Sequence, residues 1–349
     1  MKVNRLKLNI SELVEYGQDK KFIVFGAGVQ GIRAISYFNS WFSDNRVIGF
    51  IDNMKEKQNT KIQIEGNEYL IMSFDDALKI MEADTCIFIA SLYHSSILKQ
   101  IDETISEKVQ DCIVLDEVAE KELYCGTYSE VVKEYDQPVI PRVLHYAWFG
   151  GKEPDFVKRN IENWHKLCPD YEIVKWGENN YDISKNKYML QAYESKIWGF
   201  VPDYLRLDVI YQQGGIYLDT DVTVVRNLDD LLFQECFASV DATLTMNLGS
   251  GFGAKPNCEI IRELRDYYDD VNFIDENGIV DMTSCNSHSY KVLKKYGVQI
   301  NNKLQNVRGM NIYPMIFQGA CAHTRKEKIT DKTYVVHYGE MSWLKEKLV

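Results

Sequence analysis

Short apolar, β-branched runs alternate with longer amphipathic segments along most of this chain. The first series begins at Lys21 with the run KFIVF, which is followed by the glycine-rich turn GAGVQG and a helical segment. It continues through RVIGFIDN and DTCIFIAS to DCIVLD. Apolar strands that alternate with amphipathic helices are typical of βαβ units on a parallel sheet. The pattern therefore predicts an α/β fold for this part of the chain.

A second α/β series begins with the run RVLHYAWFG and differs from the first, with no internal repeat. Between the two lies a charged stretch that contains two prolines, a composition typical of a domain boundary. A length of 349 residues also exceeds the usual size of one domain. We predict a Rossmann-like domain over residues 1–125, a linker over 126–138 and a second α/β domain over 139–349.

The charge and the cysteines exclude several classes of protein. A net charge of -11 opposes binding to a nucleic-acid backbone. The eight cysteines form no CxxC pair, which fits neither a zinc site nor a disulfide framework and favours a reducing, cytoplasmic location. The sequence contains no signal peptide and no apolar run long enough to span a bilayer. Peripheral contact with the inner face of a membrane is compatible with this composition.

Three glycines and an acid mark the first candidate site. Gly26, Gly28 and Gly31 follow a strand and open a helix, and Asp52 ends the next apolar run. This spacing suits a dinucleotide, whose pyrophosphate approaches the glycines while the acid accepts hydrogen bonds from the ribose. The same turn also occurs as plain architecture in domains without a nucleotide, so both interpretations stay open. The segment also resembles N-terminal domains attached to bacterial sugar acetyltransferases.

The segment GGIYLDTDVTVV places Asp219 and Asp221 two positions apart in an otherwise apolar run. If the run is one strand, both side chains project to the same side. Two carboxylates at such a short distance repel each other unless a cation lies between them, and their oxygens suit Mg²⁺ or Mn²⁺. We therefore predict a metal site here, and the alternative is an ordinary solvated turn.

A helical region from about Met189 to Gln213 precedes this segment and contains FVPDYLRLDVIY. Asp203 and Arg206 are three positions apart, so they are neighbours on one helical face. A guanidinium and a carboxylate in this arrangement are able to contact a phosphate and a sugar hydroxyl. The alternative is an ion pair on the helix surface, worth a few tenths of a kcal/mol.

Four blocks occur in order over about 200 residues: IPRVLHYAWFGG, NWHKLCPDYEIVKW, FVPDYLRLDVIYQQGGIYLDTDV and HYGEMSW. This series resembles the family 32 glycosyltransferases, which include capsular-polysaccharide sugar transferases and yeast-type α-mannosyltransferases. It is also similar to the catalytic core of the clostridial glucosylating toxins. The resemblance covers residues 139–343. It implies a GT-A fold, a nucleotide-sugar donor, a divalent metal and retention of anomeric configuration.

The resemblance also implies roles for single residues. Trp148 would stack on the nucleotide base, Asp203 and Arg206 would contact the donor sugar and phosphate, and Tyr217 would lie beside them. An aromatic ring with a polar edge suits the first role, and the alternative for Trp148 and Tyr217 is an ordinary place in the core. Strand alternation would put Tyr217 on the same face as Asp219.

The tail HYGEMSW supplies the remaining implied residues. His337 would be a further metal ligand, with Glu340 as a competing candidate, and Ser342 and Trp343 would close over the diphosphate as hydrogen-bond donors. A solvated or capping role is the alternative for His337.

The chain departs from the family pattern at two places. Pro202 stands where the family usually has a small hydroxyl residue, which predicts that a helix begins or bends there. DMTSCNSHSY replaces a Thr-Gly-Pro turn, which leaves the acceptor side open. The glycine-rich segment over residues 248–256 is predicted either to line the cleft or to be a simple loop.

Together these features predict a metal-dependent retaining glycosyltransferase. It would move a sugar from a UDP- or GDP-linked donor, with UDP favoured, to a glycan or a lipid-linked oligosaccharide in capsular or other surface polysaccharide synthesis. Two other functions stay open: an NAD(P)-dependent oxidoreductase that uses the N-terminal domain, and a non-catalytic scaffold of a glycan-assembly complex.

Overall fold

The computed structural model describes residues 3–104, 111–125, 130–241, 243–317, 320–321 and 326–338. Contacts within the chain divide it into two compact units, residues 1–125 and residues 126–349. Each unit is described by itself below.

The N-terminal unit is a seven-stranded sheet with helices between its strands. The strands are β1 (Asn4–Leu6), β2 (Lys21–Phe25), β3 (Val47–Ile51), β4 (Thr60–Ile64), β5 (Asn67–Met72), β6 (Thr85–Ile89) and β7 (Asp111–Val114). The helices are α1 (Ile10–Tyr16), α2 (Val29–Trp41), α3 (Phe74–Ile80), α4 (His94–Glu103) and α5 (Leu115–Cys125). The strand order is β1-β7-β6-β2-β3-β5-β4, and only the β4–β5 pair is antiparallel.

The strands predicted from the apolar runs are the central strands of this sheet. β6 is buried at every position and β2 at all but its first, because helices cover both faces. The β4–β5 hairpin and helix α3 are additions that the sequence pattern did not predict. The observed parallel sheet confirms the predicted α/β class for this unit.

The turn between β2 and α2 depends on two of the three glycines. Gly26 has a φ of +112°, which side chains with a Cβ rarely adopt. A Cβ added at Gly31 would lie 1.7 Å from the Gly26 carbonyl oxygen, so the first turn of α2 packs directly on the backbone of the preceding loop. A Cβ added at Gly28 would meet nothing within 4 Å.

The C-terminal unit is built around a larger, mixed sheet. Its strands are β8 (Val143–Ala147), β9 (Glu172–Trp176), β10 (Gly215–Tyr217), β11 (Val222–Val224), β12 (Cys236–Val240), β13 (Met246–Asn247), β14 (Phe252–Ala254), β15 (Gln305–Val307), β16 (Met310–Tyr313), β17 (Ala320–Cys321), β18 (Lys326–Glu327) and β19 (Val335–His337). Its helices are α6 (Asp155–Leu167), α7 (Lys187–Glu194), α8 (Pro202–Gln213), α9 (Glu259–Asp266) and α10 (Cys285–Leu293).

The main sheet of this unit has the order β15-β16-β12-β14-β10-β8-β9, with β13 paired to β12. β14 runs antiparallel to both of its neighbours, whereas β10, β8 and β9 are mutually parallel. β11 and β19 form a separate antiparallel pair. A mixed α/β sheet of this kind is what the expected GT-A fold requires, and the predicted fold class is confirmed.

Both faces of the main sheet are covered by apolar side chains. Strand β10 shows how the faces are divided, because Tyr217 joins one buried cluster whereas Ile216 and Leu218 join the other. The first cluster also contains side chains from α7, α8 and α9, and the second contains Trp164 from α6. Successive residues of a strand point to opposite faces, so this division follows from the pleat.

The structure differs from the sequence predictions in three places. The helical region predicted over residues 189–213 is two helices, although the prediction that a helix begins or bends at Pro202 is confirmed, because Pro202 occupies the first turn of α8, where its missing N–H costs nothing. The GGIYLDTDVTVV segment is two short strands, β10 and β11, separated by a turn. Residues 130–138, predicted as part of the linker, include Val131 and Val132, which pack against the core of the C-terminal unit.

None of the helices in the described ranges is both long and apolar enough to cross a bilayer.

Two alanine substitutions test how the N-terminal turn is packed. Gly31→Ala is expected to destabilise the protein by about 1–3 kcal/mol or more, because the new methyl group collides with a backbone carbonyl that cannot rotate away. Gly28→Ala is the matched control, since its φ of -101° is accessible to alanine and the added methyl group meets nothing. Urea unfolding of both variants checks this, and equal losses would contradict the packing.

Candidate active site

Asp219 and Asp221 lie in the turn between β10 and β11. The turn is closed by a hydrogen bond from the Val222 N–H to the Asp219 carbonyl at 3.1 Å, and the Leu218 N–H binds the His145 carbonyl on the neighbouring strand at 3.0 Å. The strand-alternation argument for the two acids is therefore wrong. Their side chains converge because the backbone turns back, not because both project from one face of a strand.

Helix α6 fixes this turn from one side. Asn160 donates to the Thr220 carbonyl at 2.8 Å and accepts from the Thr223 hydroxyl at 2.8 Å. Asn163 accepts from the Val224 N–H at 3.0 Å, and the Trp164 indole donates to the Val222 carbonyl at 2.9 Å. These bonds satisfy backbone groups that a short turn leaves unpaired. The turn that carries the two acids is thus held rigidly by side chains about 60 residues upstream.

His337 reaches the same place through strand pairing. β19 runs antiparallel to β11, and His337 is the partner of Val222, the residue after Asp221. Its Nε2 lies 3.2 Å from Asp221 Oδ1, and its Nδ1 lies 3.2 Å from the Ser250 hydroxyl. One ligand atom from each of Asp219, Asp221 and His337 lies within 4.8 Å of the others.

The acids around His337 raise its pKa by more than burial lowers it. Burial alone would lower the pKa of this imidazole, but the charge and hydrogen bond of Asp221, together with Asp219 and Asp241, raise it to about 9. The ring is therefore an imidazolium at neutral pH and balances part of the negative charge of the acids. Two carboxylates and one imidazole form a donor set that suits a hard divalent cation such as Mg²⁺ or Mn²⁺.

Arg206 of α8 is a buried cation at the edge of this group, with a side chain only 4% exposed. Its Nη2 lies 3.2 Å from Asp203 Oδ1 and 3.5 Å from Asp219 Oδ1, and its Nε donates to the Pro202 carbonyl at 3.2 Å. The guanidinium also lies over the Tyr217 ring, 5.1 Å from its centroid. The two acids and the ring hold the guanidinium in one orientation.

Asp203 is as deeply buried as Arg206, with a side chain that is also 4% exposed. It accepts a hydrogen bond from the Tyr188 hydroxyl at 3.3 Å in addition to the Arg206 contact. Burial raises the pKa of Asp203 well above its usual value, although the charge of Arg206 pulls it down. The interpretation of Asp203 and Arg206 as a surface ion pair is wrong, because both side chains are in the interior.

Tyr217 lies beside Arg206, as the resemblance implied, but for a different reason from the one predicted. Its ring is fully buried and packs against Phe252, with ring centroids 6.1 Å apart. Asp219 is outside the strand, so alternation does not relate the two side chains. Both touch the same guanidinium instead.

The glycine-rich segment over residues 248–256 lies against Asp219. The Asp219 N–H donates to the Gly249 carbonyl at 2.9 Å, and a Cβ added at Gly249 would lie 2.0 Å from Asp219 Oδ2. Asn247 fixes this approach because its side-chain oxygen accepts from the Gly249 N–H at 2.7 Å. Only glycine at position 249 leaves room for the carboxylate of Asp219.

The DMTSCNSHSY segment also reaches this site. Ser284 caps the N-terminus of α10, and Cys285 in the first turn lies 3.9 Å from Arg206 Nη1. Burial raises the pKa of the Cys285 thiol, so the thiol stays protonated at neutral pH.

Trp148 follows β8 and is only partly buried, so it is not an ordinary core tryptophan. Its indole N–H donates to the Gly151 carbonyl at 3.0 Å. The N–H is therefore used within its own loop, and only the ring remains available to stack on a ligand.

Three tail residues from the sequence analysis, Glu340, Ser342 and Trp343, lie outside the described residues.

The candidate nucleotide site of the N-terminal unit is assembled, but its acid is already in use. Asp52 accepts hydrogen bonds from the backbone N–H groups of Ala27 and Met54, both at 2.9 Å, and its Oδ2 lies 3.3 Å from the Lys57 ammonium. Burial alone would raise the pKa of Asp52, but these donors hold it below its usual value. Asp52 thus joins the Gly26–Gly28 turn to the loop after β3.

Sequence reasoning missed several residues that shape the site: Asn160, Asn163, Asn247, Ser250 and Cys285. Asn160 and Asn163 act through backbone groups about 60 residues away, Asn247 through a backbone N–H two residues away, and Ser250 through a histidine 87 residues away. The signals in the sequence were that Asn163 belongs to the NWHKLC block, Ser250 to the glycine-rich segment and Cys285 to the DMTSCNSHSY segment.

Removal of the buried guanidinium tests how much it contributes to the free energy of unfolding. Arg206→Met is expected to cost about 3–5 kcal/mol, because it leaves Asp203 buried without its cation. The double variant Asp203→Asn, Arg206→Met should recover much of that loss, since the buried carboxylate is then removed and Asp219, which also loses its contact with Arg206, is 28% exposed to solvent. Urea unfolding at pH 8 measures both.

Arg262→Met is the matched control for this measurement. Arg262 also pairs with an acid three residues away, Glu259, but both side chains are largely exposed. Its loss should stay within about 0.5 kcal/mol. If Arg206→Met and Arg262→Met lowered the free energy of unfolding by similar amounts, burial would not be the reason for the cost at Arg206.

Comparisons with known proteins agree with this geometry. The family described as "Glycosyltransferase sugar-binding region containing DXD motif" matches residues 154–238. The match runs from the start of α6 to β12, so it includes the asparagines of α6, the Asp203–Arg206 pair and both acids of the turn. It does not include Trp148 or His337.

Two fungal proteins and one solved structure are similar to parts of the chain. "Inositol phosphoceramide mannosyltransferase 3" of Schizosaccharomyces pombe is 29% identical over 109 residues, which is 30% of this chain and 31% of the relative. "Mannosyl phosphorylinositol ceramide synthase SUR1" of Saccharomyces cerevisiae is 28% identical over 103 residues, 28% of this chain and 27% of the relative. The structure "PaToxG Glycosyltransferase" is 16% identical and covers 52% of this chain and 79% of its own, with a TM-score of 0.37.

The aligned part spans less than a third of the length of these two fungal relatives. The region that the family model matches, residues 154–238, contains the DTD motif and the α8 pair described above. Residues 154–238 therefore match the sugar-binding region of the DXD-containing glycosyltransferases, and over these residues the family resemblance predicted from the sequence is confirmed.

Proposed function

We propose that this protein is a metal-dependent retaining glycosyltransferase that moves a sugar from a nucleoside-diphosphate donor to a hydroxyl of a glycan or lipid-linked acceptor. The observation that carries the proposal is the convergence of Asp219, Asp221 and His337 within 4.8 Å, next to the buried guanidinium of Arg206. This arrangement supports the proposal, because a diphosphate leaving group requires a cation site beside a phosphate-binding group.

The residues present fit a divalent ion. Asp219 and Asp221 are 28% and 16% exposed, so they are accessible to a ligand without being freely solvated. A bound Mn²⁺ or Mg²⁺ would neutralise charge on the diphosphate as the bond to the sugar breaks. His337 would lose its proton on ligation, because only neutral imidazole binds a metal.

Arg206 then supplies the fixed charge of the site. Its guanidinium is already oriented by Asp203, Asp219 and the Tyr217 ring, so it needs no reorganisation when negative charge grows on the departing phosphate. Asp203 would accept a hydrogen bond from a donor-sugar hydroxyl. The Trp148 ring would stack on the base, and Ser342 and Trp343 keep their implied role as donors to the diphosphate.

The fungal relatives add a candidate for the transferred group. Their names describe mannosyl transfer to inositol phosphoceramide. A mannosyl donor and a lipid-linked acceptor are therefore candidates here, beside the UDP-linked donor and the capsular or surface polysaccharide that the sequence favoured. A cytoplasmic location with contact at the inner membrane face accommodates either acceptor.

An NAD(P)-dependent oxidoreductase is less well supported. Asp52 already accepts from two backbone N–H groups and from Lys57, and its side chain is only 10% exposed, which leaves little of the carboxylate accessible to a ribose hydroxyl. A non-catalytic scaffold would not need the two acids, the imidazole and the arginine to converge.

A thermal-shift panel with UDP, GDP and NAD, each with and without Mn²⁺, tests the proposal. One nucleoside diphosphate should raise the melting temperature only in the presence of Mn²⁺. At 100 times its dissociation constant, a ligand adds about 2.7 kcal/mol, which corresponds to about 5–10 °C for a unit of this size.

Asp221→Asn should abolish this metal-dependent shift, because it removes a ligand and the partner of His337. Asp155→Asn is the control, since Asp155 is an 86% exposed acid at the start of α6 whose ion-pair partner is Lys158, and its shift should match the unaltered protein. An NAD shift that needs no metal and survives Asp221→Asn would overturn the proposal in favour of the oxidoreductase.

A further inference from the structure

Trp198, in the connection between α7 and α8, packs flat against the backbone of Gly150. Gly150 has a φ of +79°, and a Cβ added there would lie 2.4 Å from Cε2 and 2.7 Å from Cδ2 and Nε1 of the Trp198 indole. These distances leave no space between the ring and the main chain for any side chain. Trp198 therefore forms one wall of the loop over residues 148–151.

Two hydrogen bonds fix the same loop. The Gly150 N–H donates to Glu178 Oε1 at 2.8 Å, and the Trp148 indole N–H donates to the Gly151 carbonyl at 3.0 Å. In addition, the Trp148 backbone N–H binds the Trp176 carbonyl at 2.9 Å. The orientation of the Trp148 ring is thus determined by the position of Gly150 and Gly151, which Trp198 supports.

Trp198 is itself held in place. The Tyr193 ring meets it edge to face at 5.4 Å, and Tyr193 packs against Phe149 at 6.2 Å, again edge to face. Such edge-to-face pairs have a preferred geometry and resist rotation. Four residues after Trp198, α8 begins and presents Asp203 and Arg206. One aromatic cluster, Phe149–Tyr193–Trp198, therefore joins the Trp148 loop to the start of the helix that carries the arginine.

We propose that Trp198 is a positioning residue for the nucleotide donor. By packing on Gly150 it holds the loop so that the Trp148 ring faces the base while Arg206 faces the diphosphate. This inference rests on the proposed function, in which Trp148 contacts the base. Trp198 itself does not need to touch the donor. Its loss should weaken donor binding more than it slows the transfer step.

The test compares Trp198→Ala and Trp198→Phe with the unaltered protein. Whichever of UDP and GDP gives the Mn²⁺-dependent thermal shift is titrated by calorimetry in the presence of Mn²⁺, and donor KM and kcat are measured with the corresponding sugar donor. Trp198→Ala should raise Kd and donor KM about tenfold, a change of about 1.4 kcal/mol, and leave kcat within about twofold. Trp198→Phe should stay within about threefold of the unaltered protein, because a ring still covers Gly150.

Alanine variants at two neighbouring glycines distinguish the effect of the Trp198 contact from the effect of backbone strain. Gly150 and Gly151 both have positive φ, +79° and +126°, so alanine is strained at either position. A methyl group at Gly150 displaces Trp198, whereas one at Gly151 meets nothing within 4 Å. Gly150→Ala should therefore reproduce the weaker binding of Trp198→Ala, and Gly151→Ala, the matched control, should bind distinctly more tightly than Gly150→Ala. Equal effects would overturn the inference.

Trp148→Ala distinguishes the inference from the proposed function on which it rests. If Trp148→Ala weakens binding but Trp198→Ala and Gly150→Ala do not, the inference is wrong while the proposed function stands. If Asp221→Asn abolishes binding but Trp148→Ala leaves it unchanged, Trp148 does not contact the base and Trp198 has no donor group to position. Gly150→Ala keeps the indole in the chain, so it provides the test even where Trp198→Ala folds poorly.

Discussion

The contact on which the C-terminal unit depends most is that of the buried Arg206 guanidinium with Asp203 and Asp219. A cation in the interior must be balanced by nearby acids, because burial without a partner costs several kcal/mol. The two acids come from different elements, one from the first turn of α8 and the other from the turn after β10. The electrostatic requirement of a single side chain therefore fixes the distance between a helix and the turn that carries Asp219 and Asp221.

Three further elements complete the site, and each acts through backbone geometry. The asparagines of α6 satisfy the turn, the β11–β19 pair carries His337 to Asp221, and the backbone at Gly249 leaves room for the Asp219 carboxylate. Asp219 and Asp221 themselves lie in neither a helix nor a strand. The backbone groups of the turn are paired with α6 side chains and with the backbone at Gly249 and Tyr338, and the two carboxylates lie together beside Arg206 and His337.

The sequence predicted the central strands, the i, i+3 relation of Asp203 and Arg206, and the residues whose ligand atoms converge. These predictions succeeded because apolar runs and helical spacing are local properties. The sequence did not predict that Asp219 and Asp221 occupy a turn, since the β-branched run GGIYLDTDVTVV contains no proline or internal glycine to mark one. Nor did it predict that Asp203 and Arg206 are buried. Helix α8 is buried at every position from Asp203 to Ile210, so its charged residues do not mark a solvent-exposed face. Ser250, Asn160 and Cys285 were missed because their partners lie 79 to 87 residues away or bind through backbone atoms.

The glycine turn of the N-terminal unit shows why a motif of this kind does not determine a ligand. The short distance from Gly31 to the Gly26 carbonyl is needed for α2 to pack on β2, whether or not a nucleotide is present. Asp52, which could recognise a ribose, instead accepts two backbone N–H groups and faces Lys57. Those bonds hold the loop after β3 against the glycine turn and leave little of the Asp52 carboxylate accessible to a ligand. Gly26 and Gly31 are thus explained by backbone conformation and packing before any ligand is invoked, whereas nothing in the packing requires glycine at position 28.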